Sequence, residues 1–454
     1  MDWKTQKVLV AGSGKSGIGA TDLLKKVGAE VIIYDGNDKL KEEDVLNKLE
    51  NKEDVKVILG ELEDSVINEI DMMVLSPGIA IDAPFVLRVK EAGVPIWGEI
   101  ELAYVIGKGK LAAITGTNGK TTTTALVGEI MANYYDKVDV VGNIGNPYTT
   151  TAFDSTDDTV TVAEISSFQL ETIHTFKPDV SAVLNITPDH LNRHYTMECY
   201  TDVKMSIAKN QDSNQPIVLN YEDPILREYA GKLTNRIIWF SSKQKVNPGV
   251  YLEGKNIIYA DGKKETFVTT TEDTTLVGIH NVENIMAAIA ISINMDVPVD
   301  IIRETIRKFK AVPHRIEYVE TINDVIYYND SKGTNTDASI KAIEAMSRPT
   351  ILIAGGYDKK VSFDDWAEAF GDKVKCLVLL GQTAEQIADT VEKHGFTNII
   401  FTESLKEAVD ECAKNAKPGD AVLLSPACAS WGMFDNYEQR GDMFKEYVRA
   451  MCEK

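Results

Sequence analysis

A glycine-rich segment in the first third of the chain carries the residue types of a phosphate-binding site. It reads Thr115-Gly-Thr-Asn-Gly-Lys-Thr121 and follows an apolar, strand-like run directly. In such a turn, backbone N–H groups surround phosphate oxygens, a lysine reaches the β- and γ-phosphates, and a threonine hydroxyl suits Mg2+. Ile114 stands where the general phosphate-loop pattern has its first glycine, so this is a shorter variant. We expect nucleotide phosphates to be bound by Gly116, Thr117, Asn118, Gly119, Lys120, Thr121 and Thr122.

Two polar clusters downstream are of the kind that completes a metal–phosphate site. Glu164 ends one apolar run, and Asp189-His190 follows another. In open parallel sheets, ligands gather beyond the carboxyl ends of strands, so both clusters should lie on the phosphate side. Carboxylate oxygens are common Mg2+ ligands and histidine nitrogens less usual ones. From these residues alone, a turn histidine that bonds to nearby backbone is an equal interpretation of His190.

An earlier glycine turn satisfies the dinucleotide fingerprint. Residues 12–17 read Gly-Ser-Gly-Lys-Ser-Gly, and Asp35 ends the following strand-like run. Glycines at these positions allow a tight turn and close approach of a phosphate, and the acid can accept a hydrogen bond from a ribose or a base. Alone, the motif fits a nicotinamide-dependent oxidoreductase, and it can also be purely architectural.

The elements that must position these residues alternate between strands and helices. Three apolar runs lead into glycine turns, at 7–17, 111–121 and 350–359, and a helical pattern follows each. Continuous apolar strands predict parallel sheets covered on both faces. We therefore predict an α/β protein with a Rossmann-like N-terminal domain (1–100), a central P-loop-type mononucleotide-binding domain (101–311) and a Rossmann-like C-terminal domain (312–454).

Composition narrows the classes of function. The 454 residues include 48 basic and 69 acidic side chains, which gives a net charge of −21. This balance argues against a general nucleic-acid binder, since such proteins need a basic face. No apolar run approaches the roughly 18 residues of a membrane span. Five scattered cysteines fit a reducing cytoplasm, and Cys428 is better interpreted as a small buried residue than as a nucleophile.

Several motifs appear together in one order along nearly the whole chain. They are TGTNGKTT (115–122), Gly142-Asn-Ile-Gly145, EISSFQLE (164–171), DHLNRH (189–194), Gly278-Ile-His-Asn281, Pro313-His-Arg315, NDSKGTNTDA (329–338) and SPACASWGMFDNYEQRG (425–441). In this order the chain resembles the Mur ligase family.

The resemblance implies an ATP-dependent amide ligase of peptidoglycan precursor synthesis. Members activate a carboxylate of a UDP-linked muramoyl precursor as an acyl phosphate, which an incoming amine then converts to an amide. The 329–338 and 425–441 segments favour the member that adds D-glutamate, and a sister ligase that adds another amino acid is the alternative. A monomer in the cytoplasm with two Mg2+ ions is expected.

The resemblance also implies roles for individual residues. Lys120 and Thr121 would hold the phosphates and one Mg2+, which Glu164 would share. His190 and a carbamylated Lys204 would hold the second Mg2+. Asn143 would orient the precursor. Contacts to ATP are expected from Asn284, Arg315 and Asp330, to D-glutamate from Lys332, Thr334, Lys359, Ser430 and Tyr437, and to the UDP group from Lys15, Ser16, Asp35 and Ser76.

Two other classes of function are alternatives to an amide ligase. A nicotinamide-dependent oxidoreductase would use Gly12–Gly17 and Asp35, but it leaves the second glycine turn, Glu164 and His190 without a role. A non-catalytic, nucleotide-gated interaction protein would have no need for the set of metal-binding and phosphate-binding residues. ATP turnover distinguishes the latter from an enzyme.

Overall fold

The computed structural model describes residues 1–143, 145–274, 276–310, 312–358 and 361–452. In these ranges the strands form three sheets, and helices connect them. None of the helices within them combines the length and the apolar character that crossing a membrane requires. The three sheets, with mostly parallel strands, confirm the predicted α/β class.

The first sheet has five parallel strands in the order β3-β2-β1-β4-β5. Strands β2 and β3 follow β1 on one side of the sheet, and β5 follows β4 on the other side. The loops after β1 and β4 are therefore neighbours at the carboxyl edge of the sheet. The elements are β1 (Lys7–Ala11), α1 (Lys15–Val27), β2 (Glu30–Asp35), α2 (Glu42–Leu46), β3 (Val55–Leu59), α3 (Asp64–Ile67), β4 (Met72–Leu75), α4 (Pro84–Glu91), β5 (Ile96–Gly98) and α5 (Glu99–Ile106).

The central sheet has nine strands in the order β14-β13-β12-β11-β10-β9-β6-β8-β7. Strands β7 to β12 pair in parallel, with β6 between β9 and β8, while β13 and β14 add an antiparallel extension. Its first elements are β6 (Lys110–Thr115), α6 (Lys120–Ala132), β7 (Val138–Gly142), β8 (Val160–Glu164), α7 (Ser167–Leu170), β9 (Val180–Val183), α8 (Leu191–His194) and α9 (Met197–Met205). They are followed by β10 (Pro216–Asn220), α10 (Pro224–Ala230), β11 (Arg236–Ser241), β12 (Gly249–Glu253), β13 (Asn256–Ala260), β14 (Glu265–Thr270), α11 (Ile279–Asn294) and α12 (Val299–Lys308).

The third sheet has six strands in the order β15-β16-β20-β17-β18-β19, antiparallel only between β15 and β16. Its elements are β15 (Glu317–Ile322), β16 (Val325–Asn329), α13 (Thr336–Ala345), β17 (Thr350–Ala354), α14 (Asp364–Glu368), β18 (Val374–Leu379), α15 (Ala384–Lys393), β19 (Ile399–Phe401), α16 (Leu405–Asn415), β20 (Ala421–Leu424) and α17 (Tyr437–Arg449).

The chain divides into two compact units. One comprises Met1–Thr271 and Asn284–Ile306, and the other Glu272–Glu283 and Arg307–Lys454. The first unit holds the first and central sheets and the second unit holds the third. The boundaries 1–100, 101–311 and 312–454 stay predictions.

The central strands of each sheet are runs of apolar residues and are buried. Leu9 and Ile33 in the first sheet, Val162 and Leu219 in the central sheet, and Leu352 in the third are all fully buried. Removing such side chains from water drives the packing of helices on both faces of each sheet. The packed strands give fixed ends from which the polar loops project.

Candidate active site

The predicted phosphate loop leads from β6 into α6. Gly116 and Gly119 have φ angles of +148° and +84°, which L side chains rarely adopt. A Cβ on Gly119 would lie 2.3 Å from Oδ1 of Asn284, so only glycine fits under this amide. Lys120 opens α6, and its Nζ donates to the carbonyls of Gly116 and Thr117, each at 2.8 Å. A lysine charge is therefore held beside the backbone N–H groups of the turn.

Side chains from the end of β9 and from α9 hold the loop in shape. The N–H of Asn118 donates to Oδ1 of Asn185 at 2.8 Å, and Nδ2 of Asn185 donates back to the carbonyl of Asn118 at 3.0 Å. The hydroxyl of Thr117 accepts from the N–H of Thr187 at 3.0 Å and lies 3.1 Å from the hydroxyl of Tyr200. The loop is thus prearranged by the protein's own contacts.

Glu164 lies at the end of β8, directly beside the phosphate loop, because it pairs with Ile114 of β6. The side chain is buried, and its Oε1 accepts from Nδ2 of Asn143 at 2.8 Å. Its buried Oε2 has no hydrogen-bond partner among the described residues. A buried acceptor without a donor costs about 1–3 kcal/mol, and a hard cation would satisfy it. The donor set therefore fits Mg2+ at this oxygen.

The described ranges contain no group of three or more His, Cys, Asp or Glu side chains arranged to hold a metal ion. Mg2+ is usually bound by one or two carboxylates, with waters and substrate phosphates as the other ligands. Single protein ligands such as Glu164 and the hydroxyl of Thr121 suit that mode of binding. The predicted metal residues Thr121, Glu164, His190 and Lys204 stay predictions.

Lys204 is buried near the C-terminal end of α9 and is 2 % exposed. Its Nζ donates to the carbonyl of Gly116 at 2.9 Å and lies 4.8 Å from the centre of the Tyr200 ring. Burial, together with the nearby charge of Lys120, holds the pKa of Lys204 well below its ordinary value. Lys204 is therefore not an ordinary surface lysine.

His190 precedes α8 with a φ of +53°, in the left-handed region. The ring meets Phe168 edge-on, with 4.8 Å between the ring centres. Its Nε2 lies 3.6 Å from Oδ2 of Asp189, and nearly half of its side chain is exposed. The imidazole is thus partly exposed, and a metal ion or a substrate has access to it.

One pocket of about 340 Å3 brings several of these residues together. It is lined by Pro77, Gly78, Lys120, Asn143, Ser166, Ser167, Phe168, Asp189, His190, Tyr200 and Lys204. Four of the predicted site residues are therefore neighbours, although they are spread over 85 positions of the sequence. The pocket offers lysine and histidine groups to an anionic ligand.

Sequence reasoning missed two aromatic residues of this pocket, Phe168 and Tyr200. Tyr200 precedes Lys204 by four positions in one helix, and that spacing places the two on the same helical face. Phe168 follows Glu164 by the same number of residues, but a short loop intervenes, so spacing alone gives no signal.

The first glycine turn lies where the loops after β1 and β4 meet. Asp35 accepts from the N–H of Ser13 at 3.0 Å and from its hydroxyl at 2.6 Å. Burial raises the pKa of Asp35, but hydrogen bonds from Ser13 and Asn37 and the charge of Lys48 hold it below its ordinary value. The carboxylate thus stays ionised and orders the turn.

The other residues predicted to contact the UDP group lie around this turn. Lys15 is exposed at the first position of α1, and Ser16 beside it is half-buried. The hydroxyl of Ser76 is buried and has no partner among the described residues. A Cβ on Gly12 would lie 2.6 Å from this hydroxyl. The glycine therefore leaves the Ser76 hydroxyl room beside the turn.

The second unit contains the remaining predicted ATP contacts. Asp330 follows β16, is fully buried, and accepts from the hydroxyl of Ser425 at 2.8 Å and from the N–H of Ile316 at 3.2 Å. Burial raises the pKa of Asp330 to about 6, against the charge of Arg315. Nε of Arg315 is buried without a partner among the described residues. Asn284, by contrast, belongs to the first unit, where its side-chain amide lies against Gly119.

Four of the residues predicted to contact D-glutamate, Lys332, Thr334, Ser430 and Tyr437, follow β16 or β20. The ammonium of Lys332 is 5.3 Å from the centre of the Tyr437 ring, and the N–H of Thr334 donates to the carbonyl of Lys332 at 2.9 Å. Ser430 is buried. Cys428 is buried too, and its Sγ lies 3.3 Å from the hydroxyl of Thr383. This agrees with its interpretation as a small buried residue. Lys359 lies outside the described residues.

Comparison with known families covers all three sheets. Residues 6–98 match the Mur ligase MurD-like N-terminal domain, 114–292 the Mur ligase middle domain, and 314–428 the Mur ligase glutamate ligase domain. The UDP-N-acetylmuramoylalanine--D-glutamate ligase of Lachnospira eligens is 58 % identical over 452 residues, which is 99 % of this chain and all of that protein. This chain belongs to the Mur ligase family.

Other Mur ligases agree with this assignment. The UDP-N-acetylmuramoylalanine--D-glutamate ligase of Clostridioides difficile is 47 % identical over 452 residues, 99 % of this chain and all of that protein. Among solved structures, MurC of Thermotoga maritima covers 99 % of this chain over its whole length, with a TM-score of 0.61 at 18 % identity. MurF of the same organism, solved with ADP, gives the same TM-score at 17 % identity and the same coverage. These two structures share the Mur ligase fold.

Proposed function

We propose that the protein joins D-glutamate to UDP-N-acetylmuramoylalanine with the consumption of ATP. The observation that carries the proposal is the full-length identity of 58 % with a ligase of that name. The pocket that contains Lys120, His190 and Lys204 supports it, because these residues suit phosphoryl transfer to a carboxylate. We propose that the reaction takes place in the cytoplasm, because two of the substrates are nucleotides. We also propose that the protein is a monomer.

The first step requires positioning of two anions. The carboxylate of the precursor attacks the γ-phosphorus of ATP, and ADP leaves with the electrons of the broken P–O bond. Lys120 neutralises charge on the transferred group, and Asn143, held by Glu164, orients the carboxylate. Arg315 is proposed to stabilise the charge that develops on the γ-phosphate, and Asn284 and Asp330 to bind adenosine. The resulting acyl phosphate has a good leaving group.

The second step forms the amide. The amine of D-glutamate, after loss of a proton, attacks the acyl carbon, and inorganic phosphate leaves. Lysine and hydroxyl donors suit an amino acid that carries two carboxylates. We propose that Lys332, Thr334, Lys359, Ser430 and Tyr437 provide these contacts. Lys15, Ser16, Asp35 and Ser76 are proposed to hold the UDP group.

When bound, Mg2+ would neutralise charge on the phosphate oxygens and so favour attack of the precursor's carboxylate on the γ-phosphorus of ATP. Thr121 and Glu164 would hold one ion, and His190 and Lys204 a second. For Lys204 to do so, its neutral amine must add carbon dioxide, which forms an N–C bond and releases a proton. The lowered pKa of Lys204 favours the neutral amine that this reaction needs.

The test is phosphate release from ATP with Mg2+ and the UDP-muramoyl-L-alanine precursor. Four amino acids are compared: D-glutamate, L-glutamate, L-lysine and L-alanine. We expect turnover with D-glutamate alone. The Lys120→Ala variant should lose at least about 100-fold in kcat, because a donor that stabilises transition-state charge is removed.

Lys108 provides the matched control, since it is an exposed lysine just before β6. The Lys108→Ala variant should keep wild-type turnover. Turnover with another amino acid would assign the protein to a sister reaction of the family. Absence of turnover with all four would refute the proposed function.

A further inference from the structure

Arg193 joins three segments of the first unit and has no part in the proposed chemistry. It lies in the four-residue helix α8 and pairs with Glu171 through two contacts, Nη2–Oε2 at 2.5 Å and Nε–Oε1 at 3.2 Å. The same Nη2 donates to the carbonyl of Ile79 at 2.8 Å. The centre of the Phe168 ring lies 4.4 Å from its guanidinium carbon.

These contacts are desolvated and geometrically restrictive. The side chain of Arg193 is 12 % exposed and that of Glu171 is 4 % exposed. A planar guanidinium that pairs through two nitrogens and stacks on a ring has one favourable orientation, which lysine cannot reproduce. Arg193 therefore fixes the distance between the segments it touches.

The two segments that Arg193 contacts both contribute residues to the lining of the pocket. Ile79 directly follows Pro77 and Gly78, which line the pocket and belong to the loop after β4. Phe168 lines the pocket too and packs edge-on against His190. One guanidinium thus connects the loop of the first sheet with the aromatic support of His190.

A second contact at the other end of α8 reaches the same loop. The hydroxyl of Tyr195 donates to Oδ2 of Asp82. Both residues that flank the helix, His190 and Tyr195, have positive φ angles, +53° and +64°. Such conformations are costly for L residues and persist where surrounding contacts impose them. The helix is therefore a short bridge clamped at both ends.

We propose that Arg193 is a positioning residue that holds the loop 76–79 against the His190 turn, so that the precursor's carboxylate is presented to the γ-phosphate. The inference rests on the proposed function. In this proposal, the buried guanidinium of Arg193 links the part of the pocket that binds the precursor to the part that binds the phosphates. The exposed hydrogen bond from Tyr195 to Asp82 supports the same alignment.

The test compares Arg193→Lys, Arg193→Ala and Tyr195→Phe with the wild type. For the Arg193 variants we expect KM for the precursor to rise and kcat to fall, each by about 10-fold, because a misplacement of 1 Å can cost that much or more. KM for ATP should stay within about two-fold, since Arg193 does not touch the phosphate loop. Calorimetric titration of the precursor without ATP should show the same weakening of Kd.

Two features keep the test decisive if Arg193→Ala does not fold. Tyr195 is 70 % exposed, so Tyr195→Phe should keep the wild-type Tm while raising KM for the precursor by about two- to five-fold. Ethylguanidinium added to a folded Arg193→Ala should restore part of the precursor affinity, which a merely structural role does not predict.

Arg88 supplies a matched control, because it also pairs with a carboxylate, that of Asp64 at 2.7 Å, and donates to a carbonyl, that of Leu62 at 2.6 Å. It is absent from the lining of the pocket, and Arg88→Ala should keep the wild-type KM values. Wild-type constants in both Arg193→Lys and Tyr195→Phe would overturn the inference. So would a lower kcat with unchanged KM and Kd for the precursor. An inactive wild type would instead refute the proposed function.

Discussion

A single buried ammonium group shows how the fold changes the chemistry of a residue. Within the described part of the chain, Nζ of Lys204 contacts a backbone carbonyl and an aromatic face, and burial favours its neutral form. A neutral amine is a nucleophile, whereas a protonated one is not. The same helix also places Tyr200 against the phosphate loop. The fold therefore favours the neutral amine that the proposed carbamylation of Lys204 requires.

Carbamylation of Lys204 can be tested with labelled bicarbonate. We expect a 13C carbamate signal in the wild type and its absence in Lys204→Gln, because only a neutral, buried amine favours the adduct at neutral pH. Removal of dissolved carbon dioxide should lower the wild-type rate several-fold, and bicarbonate should restore it. The measurements are 13C NMR and phosphate release.

Lys209 is the control for this prediction. Burial lowers its pKa as well, but its Nζ donates to the carbonyl of Ile173, away from the phosphate loop. Lys209→Gln should keep the carbamate signal. A signal that disappears in Lys209→Gln and persists in Lys204→Gln would contradict the assignment.

Among the elements, α5 is the one that joins the first sheet to the central one. It carries two buried acids, Glu99 and Glu101. Glu101 accepts from three successive backbone N–H groups, those of residues 174–176, at 2.7–3.0 Å. Glu99 accepts from Nε2 of Gln169 at 2.8 Å, while Oε1 of Gln169 accepts from the N–H of Ser166. The helix thus fixes the loop that supplies Ser166, Ser167 and Phe168 to the pocket.

Glu99 makes the stability of this junction depend on pH. Burial raises the pKa of Glu99 from 4.5 to about 7, so the folded protein holds a proton that the unfolded chain loses between these values. The free energy of unfolding therefore falls as the pH rises through this window, by about 3 kcal/mol at most. Glu99→Gln has no group that titrates at this position. Its free energy of unfolding, relative to that of the wild type, should therefore increase between pH 4.5 and pH 8.

Urea denaturation at several pH values measures this difference. Glu129, exposed on α6, is the control, and Glu129→Gln should follow the wild type at every pH. A constant difference between Glu99→Gln and the wild type would show that folding does not raise the pKa of Glu99. The isosteric amide still accepts from Gln169, so the variant keeps the junction.

Local patterns in the sequence were enough to place the strand–turn units. Apolar runs and glycines mark β1, β6 and β17, and these signals lie within about ten residues of one another. The contacts of Arg193 with Ile79 and of Gln169 with Glu99 join residues 114 and 70 positions apart. Such contacts depend on how two sheets pack, which no local pattern encodes. The antiparallel strands β13 and β14 also escaped prediction, since they carry no motif.

At the scale of the whole molecule, the chain consists of two compact units with separate cores. The four residues proposed to hold the UDP group all lie in the unit of the first and central sheets. The residues proposed for D-glutamate all lie in the other. Ligands that bind one unit should therefore stabilise it selectively.

UDP alone can test this distribution by scanning calorimetry. We expect two unfolding transitions, one for each unit. At 100 times its Kd, UDP should stabilise the first unit by about 2.7 kcal/mol and leave the other transition in place, because only ligand bound to the folded state contributes. An equal shift of both transitions, or of the second alone, would contradict the proposed location of the UDP site. Uridine without phosphates is the control for the glycine turn.

The acids of α5 have a consequence for recombining enzymes of this family. If the N-terminal domain of one relative were fused to the central domain of another, Glu101 would need three matching backbone donors at residues 174–176. A crossover placed between α5 and β6 separates acceptor from donors, and a buried carboxylate without donors is costly. Chimeras should therefore exchange residues 98–106 and 169–176 together, as one structural cassette drawn from a single parent.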